Sequence, residues 1–451
     1  MKIILIGVGT VGVSICIQLA SEGHDLTVID RDPAVLAELS NNSDTFCLVG
    51  NGADVSLLRR AGAAHADLLI AVTSQDEVNI LCCAAARKLG VRHTVARVRN
   101  PEYSDLMELM RGDMNLSLTI NPELAAAKDI FRMLRFPSAA KIDTFCHGRL
   151  EMAEIPVLPA SPLAGKTLLE IREKLNMTFL VCGVLRDDRA VIPSGDFRLS
   201  AGDQIAVAVP DEDITRFFKA IGAYRQPVHD VLIAGGGRIT YYLEELLEKT
   251  KIRSTVIERD KERCHALAED YHATVVCGNP TKQTLLLEEG LERTDAFLAL
   301  SDVDEENAIT ALYAKTVGVP KSVALISAMN YVDFFKSVGI GSIVSPNSST
   351  ATYILRYVRS TAGTKDSEIE SLHRIMDERL EAAEFTVKES IEGVTGIPLK
   401  SLHKKRDVLI ASILRDGIIH IPSGDDSISV GDSVIVIAGL GKVSVLRDIL
   451  S

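Results

Sequence analysis

Short apolar runs of four or five residues, each closed by a glycine or a polar residue, recur along the first hundred positions. Those at 3–6, 26–29, 45–49, 68–72 and 94–98 contain no turn residue and read as strands buried on both faces. The stretches between them, such as 33–39 and 55–61, have the composition of helices, and a longer one follows residue 79. Strands alternating with helices at this rhythm form right-handed βαβ units and a parallel sheet. Residues 1–140 are therefore predicted to be a doubly wound α/β domain whose strand series closes at 94–98. At 122–135, Leu124, Ile130, Phe131 and Leu134 share one helical face. That helix either closes its own domain or crosses to another subunit.

The pattern changes after residue 140. Strand-like runs at 179–185, 190–192 and 204–209 are split by Asp-Asp, Pro-Ser-Gly-Asp and Ala-Gly-Asp steps. This describes a small α+β module over 141–224, with Pro193-Ser194-Gly195-Asp196 read as a hairpin turn. Residues 224–227 read as a linker. Then the whole pattern restarts at an offset of 228 residues, Gly7 to Gly235. In that register Asp30 becomes Glu258, Arg31 becomes Arg259, Gly50-Asn51 becomes Gly278-Asn279, and Asp76-Glu77-x-Asn79 becomes Asp304-Glu305-x-Asn307. The crossover helix returns at 346–359. Ile192-Pro-Ser-Gly-Asp196 returns as Ile421-Pro-Ser-Gly-Asp425. The fold class is thus α/β with two Rossmann-like doubly wound sheets, each followed by a small α+β module. The predicted domains are 1–140, 141–224, 228–362 and 378–451.

The first turn carries chemistry. Gly7-x-Gly9-x-x-Gly12 follows a strand and opens a helix. Gly7 permits the sharp turn, Gly9 lets backbone amides approach a pyrophosphate, and Gly12 lets helix and strand pack closely, with the phosphate on the helix N-terminus. Asp30 ends the next strand, where a carboxylate accepts bonds from ribose hydroxyls and repels a 2′-phosphate, favouring NAD or another adenine nucleotide over NADP. Arg31, Asn51, Gly52, Thr73, Ser74 and Arg97 lie at the same carboxyl edge. In the repeat, Thr240 replaces Gly12, Thr281 replaces Ala53 and Lys282 replaces Asp54, so a weaker or different second ligand is expected.

Composition narrows the classes. The net charge of −12 argues against a duplex DNA binder, which needs a basic face to displace counterions. There is no apolar run of the roughly 18 residues a membrane helix needs, and the N-terminal run is too short for a secretory signal, so a cytosolic protein is expected. The eight cysteines form no CxxC and the ten histidines no HExxH, so no metal site is expected. A dehydrogenase needs a positioned proton donor and a substrate pocket. None of the nine tyrosines has a lysine four residues later, and each Rossmann unit is followed only by a compact module. A duplicated sensor without turnover is therefore preferred over an NAD-dependent oxidoreductase, which rests on the fingerprint alone. A redox-sensing DNA-binding regulator lacks a basic recognition helix.

Gly7-Val-Gly-Thr-Val-Gly12, Gly50-Asn-Gly-Ala-Asp54, Ala71-Val-Thr-Ser74 and Ala96-Arg-Val-Arg-Asn-Pro101-x-Tyr103 resemble the TrkA family, cytosolic regulatory subunits of Trk potassium uptake systems, and the likeness spans essentially the whole chain. It implies RCK (KTN) nucleotide-binding domains with TrkA-C modules, no catalysis, a tetrameric ring, and docking beneath a TrkH-like membrane subunit. It also implies NAD or NADH, and ATP or ADP, as ligands. By the same likeness Gly7, Val8, Gly9, Thr10 and Val11, with Gly12 behind them, would hold the pyrophosphate. Asp30 would hold the ribose, Thr73 and Ser74 the adenosine side, and Arg97 a phosphate. Gly235, Gly236, Gly237, Arg238, Ile239, Glu258 and Ser301 take the matching places in the repeat.

Overall fold

The computed structural model describes the chain except residues 43–44, 101–102, 104–115, 329–331, 341, 363–366 and 406. Strand β1 (Lys2–Ile6) buries Ile3, Ile4, Leu5 and Ile6 almost completely. It pairs in parallel with β2 (Asp25–Asp30) and β4 (Leu68–Ala71); β3 (Phe46–Val49), β5 (His93–Arg97) and β6 (Leu118–Ile120) complete a sheet of order β3-β2-β1-β4-β5-β6. The order reverses between β1 and β4, so their carboxyl ends open a crevice there. The sixth strand corrects the expected five. It is only three residues long and one of its two apolar residues is half-buried, too little to register as an apolar run.

The first small module is antiparallel. It contains β7 (Lys141–Phe145), β8 (Leu150–Pro156), β9 (Leu180–Arg186), β10 (Arg189–Val191) and β11 (Gln204–Pro210), in the order β10-β9-β11-β8-β7. The β9–β10 hairpin turns at Asp187 and Asp188, both in the left-handed region with φ of 49° and 61°. Pro193-Ser194-Gly195-Asp196 is a turn, closed by Phe197 N donating to Ser194 O at 3.0 Å, but it joins no hairpin. It lies after β10 and its Gly195 carbonyl accepts from Leu169 N at 2.9 Å, seating the loop on helix Leu168–Leu175.

The second nucleotide domain repeats the first: β12 (Asp230–Ala234), β13 (Arg253–Glu258), β14 (Thr274–Cys277), β15 (Ala296–Ala299), β16 (Lys321–Leu325) and β17 (Ile343–Val344), in the order β14-β13-β12-β15-β16-β17. The second module follows with β18 (Ser367–Ile375), β19 (Leu380–Val387), β20 (Val408–Arg415), β21 (Ile418–His420) and β22 (Ser433–Gly439), in the order β18-β19-β22-β20-β21.

Like gathers with like. One compact unit holds Met1–Ile130 and His229–Leu355; the other holds Phe131–Val228 and Arg356–Ser451. Within the second unit the modules share a core in which Phe145, Leu150 and Met152 pack with Leu380, Ala382 and Ile435. Buried carboxylates lock it reciprocally. Met376 N donates to Glu154 Oε1 at 3.1 Å, and Cys146 N donates to Glu384 Oε2 at 3.2 Å. Asp143 meets His373 Nδ1 at 2.9 Å. Burial would raise the Asp143 carboxyl, but Lys141 and His373 hold it well below the usual range; Glu154, where burial dominates, is pushed up.

Candidate functional site

The first crevice is a cleft of about 480 Å³. Its floor is the glycine turn. Gly7, at φ 93°, sits where a Cβ would lie 2.8 Å from Thr73 N, and a Cβ at Gly9 would meet nothing within 4 Å, so the backbone there is open to a ligand. Helix Thr10–Ser21 starts at Gly9 with no side-chain cap, whereas the helix at Val55 is capped by Asp54, whose carboxylate accepts from Ser56 N. The uncapped N–H groups and the helix dipole present partial positive charge to the cleft. Val8, Thr10, Val11, Arg31, Asn51, Gly52, Thr73, Ser74 and Arg97 all line it with Gly7, Gly9 and Asp30. Gly12 does not; it packs beneath, where any Cβ would run into the Gly7 carbonyl.

Asp30 spans the turn. Its Oδ2 accepts from Val8 N at 2.7 Å and its Oδ1 from Asp32 N at 2.9 Å, which fixes the carboxylate on the cleft wall with lone pairs still available for hydroxyl donors. Arg97 crosses from the end of β5, its Nη2 donating to Thr73 O at 2.8 Å while its buried Nε has no hydrogen-bond partner. Burial draws the guanidinium below its ordinary value, and Arg99 adds to this. A half-buried cation with an unspent donor beside an uncapped helix fits an anionic phosphate.

The repeat assembles the matching residues at the edge of its own sheet, with altered packing. Gly235, at φ 114°, makes the turn, and helix Arg238–Leu247 starts at Gly237, again with no side-chain cap. Thr240 Oγ1 donates to Gly235 O at 2.6 Å, so the hydroxyl occupies the place where Gly12 brings helix and turn together. Glu258 is buried, accepting from Gly236 N at 2.5 Å and Asp260 N at 2.8 Å. A Cβ on Gly236 would come within 3.0 Å of Glu258 Cβ and Cγ. Glu258, together with Leu267 Cδ1 at 2.8 Å from that Cβ position, therefore fills the room beside Gly236, where the first half has the Val8 side chain. Ser301 N is held by Asn307 Oδ1 at 2.8 Å, and Arg238 and Ile239 open the helix.

A family model described as the TrkA-N domain matches residues 3–117 and 231–346, and one described as the TrkA-C domain matches 152–222 and 382–451. The chain belongs to the TrkA family. It is 31% identical over 451 residues to the Trk system potassium uptake protein TrkA homolog of Archaeoglobus fulgidus, covering 100% of both chains. TrkA homolog 1 of Methanosarcina mazei is 34% identical over 445 residues, 97% of each chain; TrkA of Haemophilus influenzae is 29% identical over 443 residues, 97% of this chain and 95% of the other. Among solved structures, a GsuK channel bound to NAD superposes with a TM-score of 0.62 at 18% identity, covering 97% of this chain and 76% of that one. The GsuK RCK domain gives 0.61 at 18% identity, covering 97% and 92%. These two likenesses speak for the fold.

Within the TrkA frame, three features of the site were not read from sequence. Asn79 is fully buried and clamps the strand ends: its Oδ1 accepts from Thr73 N at 2.8 Å, and its Nδ2 donates to Thr73 O and to Arg97 O at 3.1 and 2.9 Å. Asn307 does the same between Ser301 and Leu325. Asp76 accepts from Arg99 N and Asn100 N, and Asp304 from Ser327 N and Ala328 N. The repeated Asp-Glu-x-Asn was the available signal; its spacing puts Asp and Asn on the first turn of a helix, facing the neighbouring strand end. Second, Asn347 from the repeat lines the first cleft. Third, helix Pro122–Arg135 and the Asn121 before it meet the other nucleotide domain of the same chain, through Asn121 Nδ2 to Tyr242 OH at 2.7 Å and Ser349 Oγ to Asp129 Oδ2 at 3.1 Å.

Proposed function

We propose that this chain is the nucleotide-sensing, non-catalytic regulatory subunit of a Trk-type potassium uptake system. It would act at the cytosolic face as a tetrameric ring docked on a TrkH-like potassium-translocating membrane subunit. The observation that carries the reading is the uncapped helix at Gly9, flanked by Asp30 and by the partly unspent donors of Arg97, in a chain whose relatives are named Trk potassium uptake proteins. Gly7 to Val11 take the pyrophosphate and Asp30 the ribose, while Thr73 and Ser74 face the adenosine. NAD or NADH and ATP or ADP fit this donor set; GsuK has been solved with NAD and with ADP. Occupancy alters gating only if the ligand binds two conformations of the ring unequally. Asn347 on the wall of the first cleft gives the second domain a part in that difference.

Titration calorimetry with NADH, NAD, NADP, ADP and ATP tests the reading. Binding of NADH or an adenine nucleotide is expected, weaker for NADP. Asp30→Ala should lose about 10- to 100-fold, the worth of hydrogen bonds to a charged acceptor. A chain that binds none of the five has a purely structural fingerprint and is no nucleotide sensor. Steady consumption of NADH with a small carbonyl substrate would instead favour an oxidoreductase.

A further inference from the structure

The second nucleotide domain carries a thiol pair that the first lacks. Cys264 stands one turn into helix Lys261–Asp270 and is 8% exposed; Cys277 ends β14 and is exposed. Both converge on Glu258. Cys277 is the register partner of Glu258 across β13 and β14, and the Cys264 thiol donates to the Glu258 carbonyl oxygen at 3.3 Å. The two side chains also act on each other: burial, and after it the neighbouring Cys277 thiol, push the Cys264 thiol up to about 11. The equivalent positions 228 residues earlier are Leu36 and Val49, so the fold itself does not require sulfur at either place. The other cysteines lack this arrangement of one buried and one exposed thiol brought together at one strand end.

We infer that Cys264 and Cys277 are an oxidisable pair that closes to a disulfide under a peroxide, beside the carboxylate of the second nucleotide domain. Cys277, open to solvent, reacts first. Its thiol gives its proton to water, the thiolate sulfur attacks one peroxide oxygen, the O–O bond breaks and hydroxide leaves, to be neutralised by that proton. The Cys264 sulfur then attacks the sulfenic sulfur. An Sγ–Sγ bond forms, the S–O bond breaks, and the departing oxygen leaves as water with the Cys264 proton. Two thiols are oxidised by two electrons in all, and one peroxide becomes two waters. Cys264, buried and held protonated, is the resolving partner. Closing the bridge removes the S–H that supports the Glu258 carbonyl, at the residue whose carboxylate holds Gly236 N.

Both cysteines fall in one tryptic peptide, residues 264–282. The full chain is treated with hydrogen peroxide, quenched with catalase, denatured, alkylated with iodoacetamide, digested and weighed. The expected result is that two of the eight cysteines escape alkylation. Peptide 264–282 should then be lighter by two hydrogens, and dithiothreitol should restore both sites to alkylation. Cys264→Ser should stall at the sulfenic acid, trapped on Cys277 by dimedone. Cys277→Ser should take up neither modification. Full alkylation of peptide 264–282 after peroxide, or a Cys277 that reacts with dimedone in the unsubstituted chain without closing the ring, overturns the pair. So does Cys277 bridged between two copies.

Discussion

At the third glycine of its turn the first nucleotide domain has no side chain, and the second has a threonine whose hydroxyl bonds the Gly235 carbonyl. The same exchange of solutions recurs nearby. Val8 with Asp30 stands against Gly236 with Glu258, Cys16 against Glu244, and Arg97 against Leu325. Both domains keep one sheet order and one uncapped helix start. A glycine turn therefore does not have to be built one way. What it requires is that the volume and the hydrogen bonds around it balance locally, and the two copies balance them differently. The first leaves a half-buried guanidinium with an unspent donor; the second has leucine in its place. The shared fold therefore carries unequal chemistry at its two glycine turns.

The sharpest way to break the comparison is Gly12→Ala. Its methyl would meet the Gly7 carbonyl, so the helix must move away from the turn. Nucleotide binding at the first cleft should fall by more than about 100-fold, and the melting temperature should drop by several degrees, since overpacking costs about 1–3 kcal/mol. Calorimetry and thermal scanning check both. If binding survives, helix and turn need not approach closely, and the threonine of the second domain is no handicap.

Next is Glu244, 2% exposed, with Oε2 accepting from Ser254 Oγ at 2.7 Å and Oε1 without a hydrogen-bond partner. Burial pushes its carboxyl to about 7, against an ordinary value of 4.5. Between those values the folded domain keeps a proton that the unfolded chain has released. Stability therefore falls as pH rises through that window, and the full penalty is present above it. Glu244→Gln should raise the melting temperature at pH 8, by an amount worth at most about 3 kcal/mol, and change little near pH 4.5. An equal shift at both pH values would show that charge is not the cause. No such dependence should accompany Cys16→Ser in the first domain.

The smallest effect is the most diagnostic. Asp30→Glu alone should crowd Val8, whereas Val8→Gly with Asp30→Glu reproduces the pairing of the second domain. A double-mutant cycle on unfolding should return a favourable coupling of about 1 kcal/mol. Additive costs would mean that Glu258 and Gly236 do not compensate each other.

Much of this was legible in the chain. The glycine fingerprint, the carboxylate after the second strand and the polar strand ends located twelve of the 21 residues that line the cleft, because each depends on local backbone conformation and on spacing within one βαβ unit. The internal duplication gave the order of the four segments for the same reason. The strands β7, β8 and β19 were missed because Asp143, Glu151, Glu154, Glu381 and Glu384 break up the apolar runs. These carboxylates are buried with partners that include Met376, Cys146 and His373, more than 200 positions away for Asp143, Glu154 and Glu384.

Local propensity and repeat spacing by themselves determined the two parallel sheets, their glycine turns and the residues at their carboxyl edges. Only the tertiary structure decided that nucleotide domain gathers with nucleotide domain and module with module, that Asn347 reaches the first cleft, and that Cys264 and Cys277 share one strand end. The reason is physical. A strand or a turn is specified by neighbours a few residues away, whereas burying an unpaired carboxylate or an apolar face becomes favourable only when a particular distant surface arrives to satisfy it.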